Sequence, residues 1–341
     1  MEEVKRMERQ KSYICIDLKS FYASVECVER DLDPFTTNLV VADPTRSQST
    51  ICLAITPAMK KLGVKNRCRI HEIPVGIEYI TAMPRMQLYI DYSAKIYSIY
   101  LRYLSKEDIH VYSIDECFMD VTDYLSLYDM STKEMAVELM DAVMKETGIT
   151  ATAGIGTNLY LAKVAMDIVA KHVDDHIGIL DEISYRQKLW DHRPLSDFWR
   201  IGSRTERKLA GYGIHTMGDI AYASVTSEDW LYKMFGIDAE LLIDHAWGFE
   251  ACGMHDIKNY HTEEHSLSNG QVLMRNYSYE EAAVVVREMT DVLVLDLVSK
   301  GLITSSVTLW IAYDHRYERP SSHGTVKLTS PTNSSSSIIN E

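Results

Sequence analysis

Three carboxylates stand at positions where an acid is costly. Asp17 closes the apolar run Tyr13-Ile14-Cys15-Ile16, and Asp115 and Glu116 close the run Ile109 to Ile114. A carboxylate on an otherwise apolar strand needs a partner or a metal ion. Neighbouring strands would bring the three acids together. Oxygen donors without histidine or thiolate suit a hard cation, Mg²⁺ or Mn²⁺. Two such ions, about 3.5–4 Å apart, would activate an attacking hydroxyl and stabilise a leaving pyrophosphate. Acids at strand ends are also common as solvated turn residues, and the residues alone leave both readings open.

The elements that must hold these acids follow from periodicity. Residues 13 to 18 read as a buried strand, with Ser20 placed to cap a helix reaching about Arg30. Leu39 to Ala42 and Thr50 to Ile55 read as short strands, and Pro57 to Leu62, closed by Gly63, as a short helix. Pro84 opens a longer helix whose apolar positions Ile90, Ala94, Tyr97, Leu101 and Leu104 predict its buried face. Ile109 to Ile114 is a strand and Cys117 to Val121 its hairpin partner. Met135, Leu139 and Ala142 mark the next helix, ended by Gly148. Ala151 to Ile155 is a strand and Asn158 to Ala170 a helix. Strands interleaved with helices predict an α/β or α+β core. Residues 185 to 250 read as all-helical, with turns at Gly202, Gly213 and Gly236. His255 to His265 reads as a linker, Ser266 to Leu273 as a strand, and Val286, Met289, Leu293 and Leu297 as one helix face. Ser305 to Tyr313 is a further strand, and Thr329 to Glu341 has no core-forming pattern.

Composition narrows the setting. At 341 residues the chain has room for two to four domains. No apolar run is long enough for a membrane helix, and the charged N-terminus is no secretory signal. The six cysteines form no C-x-x-C pair, which argues against zinc and disulfide frameworks and for a reducing cytoplasm. The net charge of -14 is unlike the basic footprint of most nucleic-acid binders. A local basic run at Arg204, Arg207 and Lys208 partly answers that objection.

Three motifs occur in order: Ile16-Asp17-Leu18-Lys19-Ser20-Phe21-Tyr22-Ala23-Ser24-Val25-Glu26, then Tyr112-Ser113-Ile114-Asp115-Glu116-Cys117-Phe118-Met119-Asp120, then Gly154-Ile155-Gly156-Thr157-Asn158 with Leu161-Ala162-Lys163. Together they resemble the motifs of Y-family DNA polymerases, most of all the UmuC/ImpB/MucB/SamB-like branch of Gram-positive bacteria, phages and mobile elements. The resemblance covers roughly residues 12 to 330. It implies an α+β right-hand fold: a ferredoxin-like palm (11–20 and 82–170), small fingers (21–81), a helix-hairpin-helix thumb (171–250), a linker (251–264), a partial α/β little finger (265–330) and a disordered tail (331–341).

The resemblance also implies roles. Asp17 and Asp115 would bridge two Mg²⁺ ions (Mn²⁺ as a substitute), Glu116 would hold the ion near a primer 3′ hydroxyl, and the Leu18 carbonyl would join them. Tyr22 would be a steric gate against ribose, with Phe21 packed beside it in the nucleotide-binding segment. Lys60 and Lys171 would hold the triphosphate, Ala170 being the alternative register for the latter; both lysines also fit a solvated surface. Pro57 and Ser20 replace aromatics found in many relatives. Residues 195 to 214 resemble a helix-hairpin-helix in which Gly202, Ser203, Arg204 and Lys208 would meet a DNA phosphate. There Arg200 takes the place of the first glycine.

The implied activity is translesion synthesis: low-fidelity transfer of a nucleotide from dNTP to a primer on template DNA. A damage response of the SOS type and mutagenesis come with it. The expected partners are primer–template DNA and dNTPs, with a sliding clamp or an accessory mutagenesis subunit among further ones, and no membrane. The last domain reads as truncated relative to the family, so weak DNA grip and loss of a clamp-binding peptide are expected. Two rivals stand beside this: a DNA-binding accessory or decoy protein with poor catalysis, and a nucleotide cyclase on a similar palm, which leaves the helix-hairpin-helix unexplained.

Overall fold

The computed structural model describes residues 10–45, 47, 49–261, 266–273 and 275–340. It separates into two compact units that divide between Tyr260 and His261.

The first unit is built on strand β1 (Tyr13–Leu18), helix α1 (Phe21–Val28), β2 (Leu39–Val41), β3 (Ala54–Ile55), α2 (Pro57–Lys61), β4 (Ile80–Ala82), α3 (Met86–Tyr100), β5 (Ile109–Val111) and β6 (Glu116–Asp120). There follow α4 (Tyr124–Tyr128), α5 (Thr132–Thr147), β7 (Ala151–Gly156), α6 (Leu159–Val164), β8 (Ile177–Leu180), α7 (Glu182–Leu189), α8 (Ser203–Ala210), α9 (Met217–Thr226), α10 (Glu228–Phe235), α11 (Asp238–Trp247) and α12 (Met254–Asn259).

The central sheet has the order β5-β6-β1-β7-β8. β1 pairs antiparallel with both β6 and β7, and β7 pairs parallel with β8. Side chains alternate along β1, so Ile14, Ile16 and Leu18 face one side and Tyr13, Cys15 and Asp17 the other. The aliphatic side packs with Ile96, Ile99 and Tyr100 of α3 and with Met135, Leu139 and Val143 of α5. The opposite side packs against α6 through Leu159 and Ala162.

That second layer depends on glycine. A Cβ on Gly156 would lie 2.6 Å from the Leu161 carbonyl carbon and 2.9 Å from Ala162 Cα. A Cβ on Gly154 would lie 2.7 Å from Met166 Cβ. Gly178 on β8 meets the backbone of Ala165 in the same way. The glycines of the third motif therefore form the floor on which α6 rests. The helix continues past Val164 as a π-turn (Ala165–Val169) and a 3₁₀ turn (Ala170–His172).

A smaller sheet, β3-β2-β4, has its own core of Val40, Cys52, Ile55, Met59 and Val64. Helices α7 to α11 pack on a third core around Tyr185, Phe198, Leu209 and Ile220.

Several expectations are corrected here. The buried face of α3 is Tyr89, Ile96, Ile99 and Tyr100, whereas Ile90, Ala94 and Leu101 are exposed. Two stripes overlap on this helix, and the tyrosine stripe prevails because its hydroxyls find partners. Tyr89 donates to Glu26 Oε1 at 2.8 Å and Tyr92 to Glu29 Oε1 at 2.7 Å. Ser20 occupies the N-cap position of α1 without capping it, its backbone being left-handed at φ 49°. Its hydroxyl is buried with no hydrogen-bond partner. The expected linker 251–264 contains α12, anchored where Lys258 Nζ donates to the carbonyls of Lys106 and Ile109, both at 2.7 Å. Residues 262–265 of that linker lie outside the described residues.

The second unit has α13 (Tyr279–Ser299), β9 (Thr304–Ile311), β10 (Ser322–Thr332) and α14 (Ser335–Ile339). β9 and β10 form an antiparallel pair. Leu297 is the buried anchor of the α13 face. Residues 266–273, expected as a strand, are irregular, because an alternating pattern forms a strand only where another edge accepts it. The expected disordered tail instead carries the end of β10 and α14, where the Ser335 hydroxyl donates to the Asp291 carboxylate.

Candidate active site

The sheet register brings the acids together. Asp17 on β1 lies opposite Glu116 on β6. The Leu18 amide donates to the Asp115 carbonyl at 2.9 Å, so the chain entering β6 is tied to the end of β1. The Glu116 carbonyl accepts from the amides of Tyr112 and Ser113 at 2.9 and 3.1 Å, which closes the turn that carries Asp115. Burial first, then the charges of Asp115 and Glu116, push the Asp17 carboxyl up to about 7. That is how crowded carboxylates behave: each disfavours ionisation of the next.

The acids are not all turned to one point. Asp115 Oδ1 accepts from the Ser113 hydroxyl at 2.7 Å. Glu116 Oε1 accepts from Lys163 Nζ at 2.9 Å and from the Cys15 thiol at 3.3 Å. Among the described residues, no three His, Cys, Asp or Glu side chains gather their donors as for one ion. The donor set nevertheless fits a hard divalent cation, being carboxylates and a strand-end carbonyl with surplus negative charge.

Phe21 is buried in the core of the first unit, where its side chain packs. Tyr22 is half-buried beside it and stacks on Tyr89, with ring centroids 4.4 Å apart and planes within 14°. Burial foremost and then the Asp115 charge raise the Tyr22 hydroxyl above its usual range. Tyr89 is itself fixed. Its hydroxyl bonds Glu26, which is fully buried and also accepts from Arg85 Nε at 2.9 Å and Arg85 Nη2 at 2.8 Å, and from Arg30.

Lys60 follows the Thr56 cap of α2, whose side chain accepts from the Met59 amide. Burial lowers its ammonium, Asp17 opposes that, and Lys171 adds to it. Lys19 is lowered in the same way by burial and by Lys60. Lys60 and Lys19 thus both feel the Asp17 charge, and Lys60 also feels that of Lys171. Of the two residues in the register alternative, Ala170 is buried and Lys171 is exposed after the π-turn.

The helix-hairpin-helix segment places Gly202 at the N-cap of α8, with no side-chain cap. Ser203 opens that helix, and Arg204 is exposed on its first turn. Arg200 takes a left-handed φ of 72° at the position where a glycine would be unstrained. Lys208 is exposed and folds onto α10: its ammonium donates to the Met234 carbonyl and lies 4.5 Å from the centre of the Phe235 ring. Its ammonium thus braces α8 against α10.

Sequence reasoning assigned no role to Lys163 and Lys19, although both stand within the quoted motifs, and passed over Tyr89. Lys163 was visible as a lysine amid apolar neighbours, a position that demands an anionic partner. Nothing local signalled Tyr89, because its partners lie on α1.

The sequence matches the impB/mucB/samB family over residues 16–167 and that family's C-terminal domain over residues 264–341. The chain is 33% identical over 306 residues to the putative UV-damage repair protein UvrX of Bacillus subtilis (strain 168), covering 89% of this chain and 71% of that one. It is 30% identical over 338 residues to DNA polymerase IV 2 of the same organism, covering 97% and 79%. Among solved structures it is similar to a Y-family DNA polymerase chimera, Dbh-Dpo4(243-245)-Dbh, with a TM-score of 0.71 and 19% identity over 96% of this chain and 91% of that one. With the acids on adjacent strands, the motifs in order and these matches in length, the chain belongs to the impB/mucB/samB family and has the Y-family polymerase fold.

Proposed function

We propose that the chain is a DNA-directed DNA polymerase of the translesion type, joining dNTPs to a primer 3′ hydroxyl on a DNA template. The observation that carries this is the pairing of Asp17 with Glu116, with Asp115 tied to the end of the same strand. The relatives named as DNA polymerase IV and as a repair protein support it.

Asp17, Asp115, Glu116 and the Leu18 carbonyl would hold Mg²⁺. Two such ions would supply Lewis acidity to the attacking and leaving oxygens of the phosphoryl transfer. The protein's own part is positioning and charge. Lys60 and Lys171 would neutralise the triphosphate; the Asp17 charge felt by Lys60 supports that reading for Lys60. Tyr22 would exclude a ribose 2′-hydroxyl, and its stack on Tyr89 would hold the ring for that task. The amides at the start of α8 and the exposed Arg204 guanidinium would hold a DNA phosphate without reading sequence. A role in damage tolerance and mutagenesis goes with this reading.

The test is primer extension with dNTPs and Mg²⁺, wild type beside Asp115→Ala. Extension by the wild type alone supports the reading. Extension by both refutes the assigned acid cluster. Extension by neither, with DNA still retained in a gel shift, favours a non-catalytic DNA-binding protein.

A further inference from the structure

Lys163 is the one lysine of the first unit's described residues held in the buried class, 7% exposed, on an otherwise apolar helix. It reaches across the sheet face that also carries Cys15, Asp17 and Glu116. Its ammonium is 2.9 Å from Glu116 Oε1 and 2.9 Å from Asp167 Oδ2, one turn further along the helix. Cys15 donates to the same Oε1. Both protein donors on Glu116 thus fall on one carboxylate oxygen, and no described residue donates to Oε2. A carboxylate pinned through one oxygen keeps the other available with its direction fixed.

We propose that Lys163 is a positioning residue for Glu116, holding Oε1 so that Oε2 serves the divalent cation. Asp167 takes up part of the ammonium's charge, so Lys163 orients Glu116 without cancelling it. The close seat of α6 on Gly154 and Gly156 sets the reach: Lys163 follows directly on Ala162, the residue in backbone contact with Gly156. This assignment rests on the acid-cluster reading above. It gives the buried lysine of the third motif a role distinct from that of the exposed Lys60 and Lys171.

Mn²⁺ binding to the full chain, followed by the loss of the free-ion EPR signal, separates the two claims. Partners that orient metal-ligating side chains typically contribute about 10–100-fold in affinity or activity. Lys163→Met is expected to raise the Mn²⁺ half-saturation about tenfold or more. The rate of single-nucleotide addition should fall by a similar factor, with the dNTP KM changed less than about twofold. In a Glu116→Ala background the same substitution is expected to change Mn²⁺ binding less than about twofold, since the residue it acts through is gone. A merely structural lysine would weaken binding equally in both backgrounds, and that result would overturn the proposal, as would wild-type Mn²⁺ binding and rate in Lys163→Met. Should Lys163→Met not fold, Lys163→Arg takes its place in both backgrounds, with the same pair of outcomes deciding. Asp115→Ala that binds Mn²⁺ and extends primers as the wild type does would instead overturn the acid-cluster reading itself.

Discussion

Replacing Gly156 by alanine tests the central packing claim. The added Cβ would sit 2.6 Å from the Leu161 carbonyl carbon and 2.9 Å from Ala162 Cα, with the Ala162 amide nitrogen nearer still. Carbon atoms in good contact lie about 3.5–4.0 Å apart, so α6 would have to lift by roughly 1 Å. It cannot do so freely. Leu159, Leu161 and Val164 are buried, and Asn158 is held by a bond from its amide to the Gly248 carbonyl at 2.9 Å. Overpacking against backbone usually costs about 1–3 kcal/mol, and a site pinned on both sides belongs at the upper end. In a unit of this size that corresponds to a fall in Tm of roughly 5–10 °C. Differential scanning calorimetry measures it, with Gly211→Ala as the control. At Gly211 the backbone is right-handed and the nearest atom to an added Cβ, the Lys208 carbonyl oxygen, is 3.4 Å away. That control should stay within about 0.5 kcal/mol of wild type or gain slightly. A Gly156→Ala protein melting within 2 °C of wild type (roughly the effect of an ordinary surface change) would refute the reasoning that these glycines seat the helix.

Three further outcomes follow from the same structure. The Glu26 carboxyl is pushed up by burial, but hydrogen bonds from Arg85, Tyr89 and Arg30 outweigh this and leave it below its ordinary value. Its contribution to stability is therefore present above about pH 4.5, its unfolded value, and is lost as the pH falls through the lower folded value. The Tm gap between wild type and Glu26→Gln should accordingly be widest near neutrality and close below that range; a gap that widens on acidification contradicts the sign. Tyr22→Ala should raise ribonucleotide incorporation about tenfold or more in an rNTP extension assay. Tyr89→Leu should raise it less, by removing the ring on which Tyr22 stacks; a Tyr22→Ala enzyme as selective as wild type excludes the gate. Arg204→Ala should weaken DNA binding alike on all sequences and reduce the salt slope by about one. Lys208→Ala should act mainly on Tm, because its ammonium is already engaged by Met234 and Phe235; equal loss of DNA affinity in both variants would contradict that division.

The sequence alone determined where the acids stand along the chain. A strand has period two and an apolar run ends visibly, so Asp17, Asp115 and Glu116 could be read as strand-end carboxylates and β1, β6 and β7 as strands. The α5 face was legible for a similar reason: Met135 and Leu139 recur at helical spacing, and both are buried. What the sequence did not determine was every choice between two admissible faces or partners. On α3 two stripes overlap, and only the position of Glu26 on α1 and of Glu29 at its C-terminal cap decides that the tyrosines turn inward. Ser20 has the right type for a cap but the wrong backbone, since the β1–α1 turn requires φ 49° there. Lys208 reads as a DNA-facing cation until α10 places a carbonyl and an aromatic ring beside it. Lys163 and Glu116 lie 47 positions apart, and no local pattern pairs them. Tertiary structure does so, because glycines at 154 and 156 let the helix backbone descend onto the sheet, and the low polarizability of that buried interface leaves a lone ammonium no solvent to turn to except the carboxylates beside it.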